Sequence, residues 1–209
     1  MEKKNNYEMA RDKAAARFAK CDQEKMIDRL DLIADDEYIY LSFLSTPQMI
    51  DRKTGRIRSM DDMTDGWKDA GFDESLTIYD ILDHAQDMSK LSGEFTSVSQ
   101  LTSVSSAAKT FGSFSYRPDF EKKLDKNFGR LRRALEDMNG EKAESAADLA
   151  YKVPLYEDIY MLFEFYRADD EFPAKASVKW DTQILSFMHY ETLFYATGYF
   201  YSRILDALK

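Results

Sequence analysis

Apolar residues recur at intervals of three and four in the first 30 residues of the chain, a spacing typical of amphipathic helices. The pattern predicts one helix over residues 7–20, capped by Asn5 or Asn6, and a second over residues 22–30, capped by Asp22. From residue 37 to residue 44 the period changes to two, which predicts a β-strand with bulky side chains on both faces.

A β-hairpin follows that strand. Residues 48–50 and 56–58 flank the turn 51–55, where Gly55 can adopt the positive φ angle that a tight turn requires. The basic residues of this hairpin lie at the turn and on one face of the strands. A solvated strand edge that is protected by charge explains them better than a phosphate site does.

The rest of the chain groups its predicted elements into blocks of helices and blocks of strands. Helical spacing is present over residues 75–88, 119–128, 131–138 and 191–208, and strand patterns are present over 148–155, 158–166 and a run that ends at Asp181. The Ser- and Thr-rich segment 92–106 fits a helix and an extended strand equally well. An ordered loop accounts for its composition better than a flexible lid does.

Strands that are adjacent in sequence favour antiparallel pairing. The order of helices, strands, helices, strands and a final helix therefore predicts an α+β fold, a mostly antiparallel sheet packed with helices. We expect a single domain over residues 1–209, with a flexible N-terminus at residues 1–6 and a long amphipathic helix at the C-terminal end.

Charge and cysteine content narrow the classes of function. The chain has 29 Lys and Arg residues against 38 Asp and Glu residues, a net charge of -9, and this opposes binding to phosphate backbones. The one cysteine, Cys21, excludes an internal disulfide and a cysteine-ligated metal cluster. Without a secretory signal or a run of about 20 apolar residues, we expect a cytoplasmic protein with no nucleic-acid or membrane partner.

An acidic turn, Asp169-Asp170-Glu171, is the first candidate for chemistry. Its carboxylates, with Asp181 across the predicted hairpin, could hold Mg²⁺ or Ca²⁺ through oxygen ligands. The run lacks the alternating ligands and central glycine of a calcium loop, so a solvated corner with Phe172 buried beneath it is the better explanation. This interpretation predicts that Phe172→Ala costs roughly 3 kcal/mol of stability.

The second candidate is His84, which lies on a predicted helix one turn after Asp80. A histidine with a carboxylate beside it can act as a general base or bind a metal. No further nucleophile motif accompanies this pair, so a surface or partly packed histidine explains the pattern better.

Aromatic residues on the predicted strands form a third candidate. We expect these strands to share one sheet, where the rings could line a pocket for a planar or apolar ligand. An ordinary core explains the same composition better. The residues are Tyr38, Tyr40, Phe43, Tyr160, Phe163, Phe165, Tyr166 and Trp180.

The last predicted helix carries a second stripe, Tyr195, Tyr199 and Ser202, beside its buried one. Exposed tyrosines are typical of protein interfaces. We expect this stripe to mediate a homodimer or a contact with a partner protein.

A set of residues between positions 75 and 209 recurs in the order and spacing of a known family. The residues are Leu91-Ser92-Gly93-Glu94-Phe95, Phe163, Phe165, Asp170-Glu171-Phe172-Pro173, Ala176, Asp181, Glu191 and Leu193. Through them the chain resembles the bacterial family known as domain of unknown function 3786. His189-Tyr190 replaces the Pro-Thr that opens the last helix in the family, and Ser/Thr-rich sequence replaces a glycine-rich turn after Phe95.

The resemblance implies a known fold type without a known activity, and a source among anaerobic bacteria. Some relatives carry an added iron–sulfur segment, which this chain lacks, so an electron-transfer role does not carry over. Two hypotheses follow. The first is a non-catalytic binding or accessory protein; the alternative is a small-molecule enzyme that uses His84 or the acids Asp170, Glu171 and Asp181, with or without a divalent cation.

Overall fold

The computed structural model describes residues 5–61, 64, 66–85, 90–101 and 119–209. Its contacts separate into two compact units, one built from Met1–Ala85 and Phe187–Ala196 and the other from Gln86–Ser186 and Thr197–Lys209. The single domain over residues 1–209 stays a prediction. Residues 1–4 of the expected flexible N-terminus and residues 102–106 of the Ser/Thr-rich segment lie outside the described residues.

The first unit combines an antiparallel five-stranded sheet with helices. The strands follow one another in the sheet in chain order, so each connection joins neighbours. They are β1 (Ile33–Ala34), β2 (Tyr38–Phe43), β3 (Thr46–Asp51), β4 (Ile57–Asp61) and β5 (Gly66–Asp69). The helices are α1 (Asn6–Phe18), α2 (Gln23–Leu30) and α3 (Phe72–His84).

Side-chain caps begin the first two helices where the sequence predicts them. The Asn5 side chain accepts a hydrogen bond from the Glu8 backbone N–H at 2.9 Å, and the Glu8 carboxylate accepts one from the Asn5 N–H at 2.8 Å. The Asp22 carboxylate accepts from the Lys25 N–H at 3.3 Å, and α2 ends where Asp31 adopts a left-handed conformation. The local sequence therefore specifies where both helices begin.

The inner face of the first sheet is apolar at one end and polar at the other. Ile39, Ile50 and Ile57 lie side by side on three strands and are buried. Further along the same face, the Ser59 hydroxyl and the Gln48 amide both donate to the buried Glu74 carboxylate on α3, at 2.6 and 2.9 Å. Because each buried polar group has a partner, α3 can be joined to the sheet by hydrogen bonds.

The second unit contains another antiparallel five-stranded sheet, in the order β6-β10-β9-β8-β7. Its strands are β6 (Phe95–Ser97), β7 (Glu141–Lys142), β8 (Leu149–Tyr156), β9 (Ile159–Tyr166) and β10 (Lys175–Asp181). Its helices are α4 (Phe120–Lys126), α5 (Phe128–Asp137) and the later part of α6 (Tyr190–Ala207). Strand β10 is the next strand after β9 in the chain and pairs with it in antiparallel orientation.

Large aromatic side chains fill the core of the second unit. Phe163, Phe165 and Trp180 are fully buried, and the Phe163 ring meets the Phe200 ring of α6 edge to face at 5.5 Å. The predicted buried stripe of the last helix is confirmed, since Leu193, Phe200, Ile204 and Leu208 are all buried. The expectation of one shared aromatic sheet is wrong, because Tyr38, Tyr40 and Phe43 belong to the first sheet and the other five residues to the second.

The predicted fold class is confirmed. The described residues form six α-helices and two antiparallel sheets, an α+β fold that includes the long C-terminal helix. The strand β5 was not expected, because Gly66 and Asp69 make that stretch resemble a polar connector. It forms because β4 offers it a neighbour, with Met60 opposite Trp67 and Arg58 opposite Asp69.

The acidic corner between β9 and β10 is built by Asp169. Its side chain accepts hydrogen bonds from the N–H groups of Phe172 (2.7 Å) and Glu171 (2.8 Å), which hold the pKa of Asp169 below its ordinary value. The Phe172 side chain is 66% exposed, so the prediction that it is buried beneath the corner is wrong. The turn is closed by backbone groups and does not need an apolar anchor.

Truncating the two phenylalanines should therefore have very different effects. Phe172→Ala should change the free energy of unfolding by no more than about 0.5 kcal/mol, because little apolar surface is lost from the core. Phe163→Ala should lower it by about 3–5 kcal/mol, as buried aromatic truncations do. Urea unfolding of both variants measures the difference, and equal losses would contradict the exposed corner.

Candidate functional site

The two histidines of the chain meet in the first unit, although 104 residues separate them in sequence. His84 is the last residue of α3 and His189 immediately precedes α6. Their ring centroids lie 4.4 Å apart, with an angle of 40° between the ring planes. The two imidazoles therefore form one cluster.

Asp80 holds His189 at two points. One carboxylate oxygen, Oδ1, lies 2.6 Å from His189 Nδ1, and the other accepts the His189 backbone N–H at 2.7 Å. The sequence suggested a pairing of Asp80 with His84, one turn further along the same helix, as the alternative to a surface or partly packed histidine. The structure corrects this pairing: His84 lies beside the pair, and the partner of Asp80 comes from the distant α6 start.

The pairing determines what His189 can do chemically. A carboxylate only accepts hydrogen bonds, so in the neutral imidazole Nδ1 carries the proton and Nε2 is left as the acceptor. The His189 side chain is 59% exposed, whereas that of Asp80 is 16% exposed. An oriented imidazole with an outward Nε2 could accept a proton from a bound molecule. Within the described residues, no group of three or more His, Cys, Asp or Glu side chains could hold a metal ion.

A groove of about 150 Å³ lies next to this pair in the first unit. At its edge, the Arg17 guanidinium donates to the Asp83 carboxylate at 2.8 Å. The half-buried Cys21 also lines it, with its Sγ 3.6 Å from the Arg17 carbonyl oxygen. The lining residues are Ala14, Arg17, Phe18, Cys21, Leu76, Tyr79, Asp80, Asp83, Thr192 and Tyr195.

The structure does not bring the three acidic candidates together. Asp170 and Glu171 are exposed in the corner before β10, whereas Asp181 is the last residue of that strand. Six residue steps along β10 cover roughly 20 Å, too far for one cation to be shared. The expected position of Asp181 across from the acidic turn is therefore wrong.

Asp181 instead fixes the loop that leads into β6. Its buried carboxylate accepts hydrogen bonds from the N–H groups of Gly93 (2.7 Å) and Gln183 (2.8 Å) and from the Ser92 hydroxyl (3.0 Å). Gly93 has a φ angle of 75°, which a side chain would disfavour. The Gly93 and Asp181 positions that carry the family resemblance are therefore in direct contact and have a structural role.

A second cavity, of about 500 Å³, opens on the outer face of the first sheet at the β3–β4 hairpin. It is called the arginine cavity here, and it is lined by Tyr38, Met49, Asp51, Thr54, Arg56, Arg58 and Asp69. The sequence predicted a charged strand edge here, and this prediction is wrong, because β3 and β4 lie inside the sheet between β2 and β5. The concave shape comes from the pairing of several strands and was not predicted.

The two arginines of this cavity retain donors for a ligand. Arg58 Nε lies 3.9 Å from the Asp69 carboxylate, a loose pair in which both side chains are more than half exposed. The Arg56 side chain makes no ion pair within the part of the chain that the structure describes. Since exposed pairs contribute about 0–1 kcal/mol, a bound anion could compete with Asp69 for Arg58.

The carboxylate of Asp51, by contrast, is directed to the turn. Burial opposes its ionisation, but hydrogen bonds from the N–H groups of Thr54 (2.7 Å) and Lys53 (3.0 Å) outweigh that effect and hold the pKa of Asp51 below its ordinary value. Asp51 therefore shapes the turn on which the cavity depends.

A shallower depression of about 640 Å³ lies near Cys21 and Arg52. The Arg52 guanidinium is already engaged there, since it donates to the Asp35 carbonyl at 2.8 Å and to the Gln23 side chain at 3.2 Å, and it also binds Glu24. The donors of Arg52 are thus used within the protein, whereas those of Arg56 and Arg58 face an open cavity.

The predicted interface residues on α6 are half-buried. The Tyr195 ring packs edge to face on Phe72 at 5.2 Å. The Ser202 hydroxyl donates to the Tyr199 carbonyl at 2.7 Å, and the Arg203 guanidinium lies 3.5 Å from the Tyr199 hydroxyl. The homodimer or partner contact through Tyr195, Tyr199 and Ser202 stays a prediction.

Comparison with known proteins assigns the family. The model described as "Domain of unknown function (DUF3786)" matches residues 22–203, most of the chain, so the protein belongs to this family. The resemblance is thereby confirmed, and the match also takes in the first sheet with its arginine cavity. No curated protein and no solved structure matches the chain. None of the helices in the described ranges has the length and apolar character that crossing a bilayer requires.

Removing the Asp181 carboxylate should destabilise the protein. Asp181→Ala should lower the free energy of unfolding by about 2–4 kcal/mol, because several buried donors lose a charged acceptor. Hydrogen exchange at the Gly93 and Gln183 amides should accelerate in the same variant. Asp170→Ala removes the same group from an exposed position and should change stability by at most about 0.5 kcal/mol. Equal effects of the two substitutions would contradict the structural role.

The tautomer of His189 offers a test of the Asp80 pairing. In long-range ¹H–¹⁵N spectra, neutral His189 should carry its proton on Nδ1, and Asp80→Asn should abolish that preference because an amide can donate as well as accept. Asp83→Asn is the matched control, since it removes a neighbouring carboxylate that pairs with Arg17. An Nε2-protonated His189 in the unsubstituted protein would show that the pairing is wrong.

Proposed function

We propose that the protein is a non-catalytic binding or accessory protein of the bacterial cytoplasm and that the arginine cavity is its ligand site. The observation that carries this proposal is the pair of available guanidinium groups, Arg56 and Arg58, at an open cavity of about 500 Å³. Cavities of about 300–1,000 Å³ with a few polar groups among apolar ones are typical of small-molecule sites.

Rigidity of the surrounding structure supports a binding role. Met49 pairs with Tyr40 on one side and with Arg58 on the other, so the floor of the cavity is part of a hydrogen-bonded sheet. A site built on paired strands is already formed before the ligand arrives, and little conformational entropy is lost on binding.

The positions of the acidic residues favour binding over catalysis. Asp170 and Glu171 face solvent, and Asp181 uses its oxygens on backbone N–H groups. The acidic residues that could have formed a catalytic set are thus separated or already engaged. The alternative hypothesis, a small-molecule enzyme, therefore rests on the histidine cluster alone.

A second candidate function rests on that cluster. The Asp80–His189 pair has the arrangement of an oriented general base, and Asp80 also lines the groove of about 150 Å³. In this alternative the protein is a small-molecule enzyme, and the role first suggested for His84 belongs to His189. The substrate would bind beside this pair and give up a proton to Nε2 of His189, which does not itself line the groove.

The proposal also covers the macromolecular partners of the protein. The net charge of -9 supports a protein without nucleic-acid partners, and the half-buried tyrosines of α6 support a homodimer or partner contact.

A thermal-shift screen of small carboxylates, phosphates, sugars and amino acids tests the two candidates. A ligand at 100 times its Kd should raise the Tm by about 5–10 °C if it binds only the folded state. The Arg56→Ala/Arg58→Ala double variant should lose the shift, and His189→Ala should keep it. The reverse result would favour the enzyme, and a panel without any shift would contradict a small-molecule binding role.

A further inference from the structure

Resting on the binding function proposed above, we infer that the ligand of the arginine cavity is a phosphate monoester. Its phosphoryl group lies between Arg56 and Arg58, and its carbon part lies on Tyr38 and Met49. The inference follows from the position of the two arginines in the lining of one cavity, the number of donors they offer and the chemistry of the remaining lining residues.

Arg56 and Arg58 are placed to act on one group. Residues two apart on a strand project to the same face and lie about 7 Å apart. Arg58 is opposite Met49, and the Arg56 carbonyl accepts the Asp51 N–H at 2.9 Å, so both arginines belong to the paired hairpin. Long side chains from two such positions can reach a single anion from two sides.

The number of donors favours a phosphoryl group over a carboxylate. One guanidinium satisfies both oxygens of a carboxylate through two parallel hydrogen bonds. Two guanidinium groups together offer enough N–H donors for the three terminal oxygens of a phosphate monoester.

The apolar and acidic residues of the cavity indicate the chemistry of the rest of the ligand. Met49 is almost completely buried and Tyr38 is half-buried, and together they form an apolar floor for a carbon skeleton. Asp69 lies at the other side of Arg58 and would repel a second anionic group. It would accept hydrogen bonds from hydroxyl or amino groups, so the carbon part carries such donors.

Calorimetric titration with defined probes tests the inference. Ribose 5-phosphate should bind more tightly than phenyl phosphate, and phenyl phosphate more tightly than inorganic phosphate, while ribose without phosphate should not bind. Arg58→Lys keeps the positive charge but loses the planar guanidinium that donates two parallel hydrogen bonds. This substitution should weaken ribose 5-phosphate binding about tenfold or more. Asp69→Asn should weaken ribose 5-phosphate and strengthen inorganic phosphate.

Arg133→Gln supplies the matched control, because it removes one exposed arginine from the second unit. It should leave every affinity unchanged, whereas Arg56→Gln should abolish binding of all phosphate probes. Equal effects of the two substitutions would overturn the site, since binding would then report net charge alone.

The results also separate the two proposals. If no phosphate probe binds but an uncharged or carboxylate compound raises the Tm and loses its effect in the Arg56→Ala/Arg58→Ala variant, the binding function stands and the phosphate inference is wrong. If ribose binds as tightly as ribose 5-phosphate, the phosphoryl assignment is likewise wrong. Tight binding of ribose 5-phosphate that Arg56→Gln abolishes supports both.

Discussion

The close approach of the β3–β4 turn to helix α1 at Gly55 is the constraint on which the first unit depends. Gly55 has a φ angle of 71°, and a Cβ atom there would lie only 2.1 Å from the Ala15 carbonyl oxygen. The buried Tyr79 hydroxyl of α3 donates to the Gly55 carbonyl at 2.5 Å, so two helices are joined to the same turn. Any side chain at this position would push the hairpin from the helix, and the arginine cavity on the other face of the hairpin would change with it.

Three buried carboxylates of this acidic chain, those of Glu74, Asp181 and Glu164, stabilise the fold. In the first unit, Glu74 joins α3 to the sheet; in the second, Asp181 holds a loop. Burial of Glu164 opposes its ionisation, but the Lys179 ammonium and the Ser145 hydroxyl outweigh that effect and hold the pKa of Glu164 below its ordinary value. Counting acids along the sequence therefore overstates the number available to a ligand, because each buried carboxylate needs its own donors.

The two candidate sites of the first unit differ in whether their side chains already have hydrogen-bond partners within the protein. His189 has an internal partner that orients it, which suits proton transfer. Arg56 and Arg58 line one open cavity on the first sheet, which suits recognition of an anion. A chain with a net charge of -9 repels anions at long range, so any anion that binds must be held by such local donors.

The sequence by itself determined the elements that depend on local rules. The capped helices α1 and α2, the Gly55 turn, the strands β8 and β9 and the buried stripe of α6 follow from capping groups, backbone freedom and period. Only the tertiary structure decided that the strands form two sheets, that Phe172 is exposed, that His189 is the partner of Asp80, and that Arg56 and Arg58 share a cavity. Periodicity specifies which face of an element is apolar, whereas the choice of neighbour depends on contacts between distant residues, which no local pattern records.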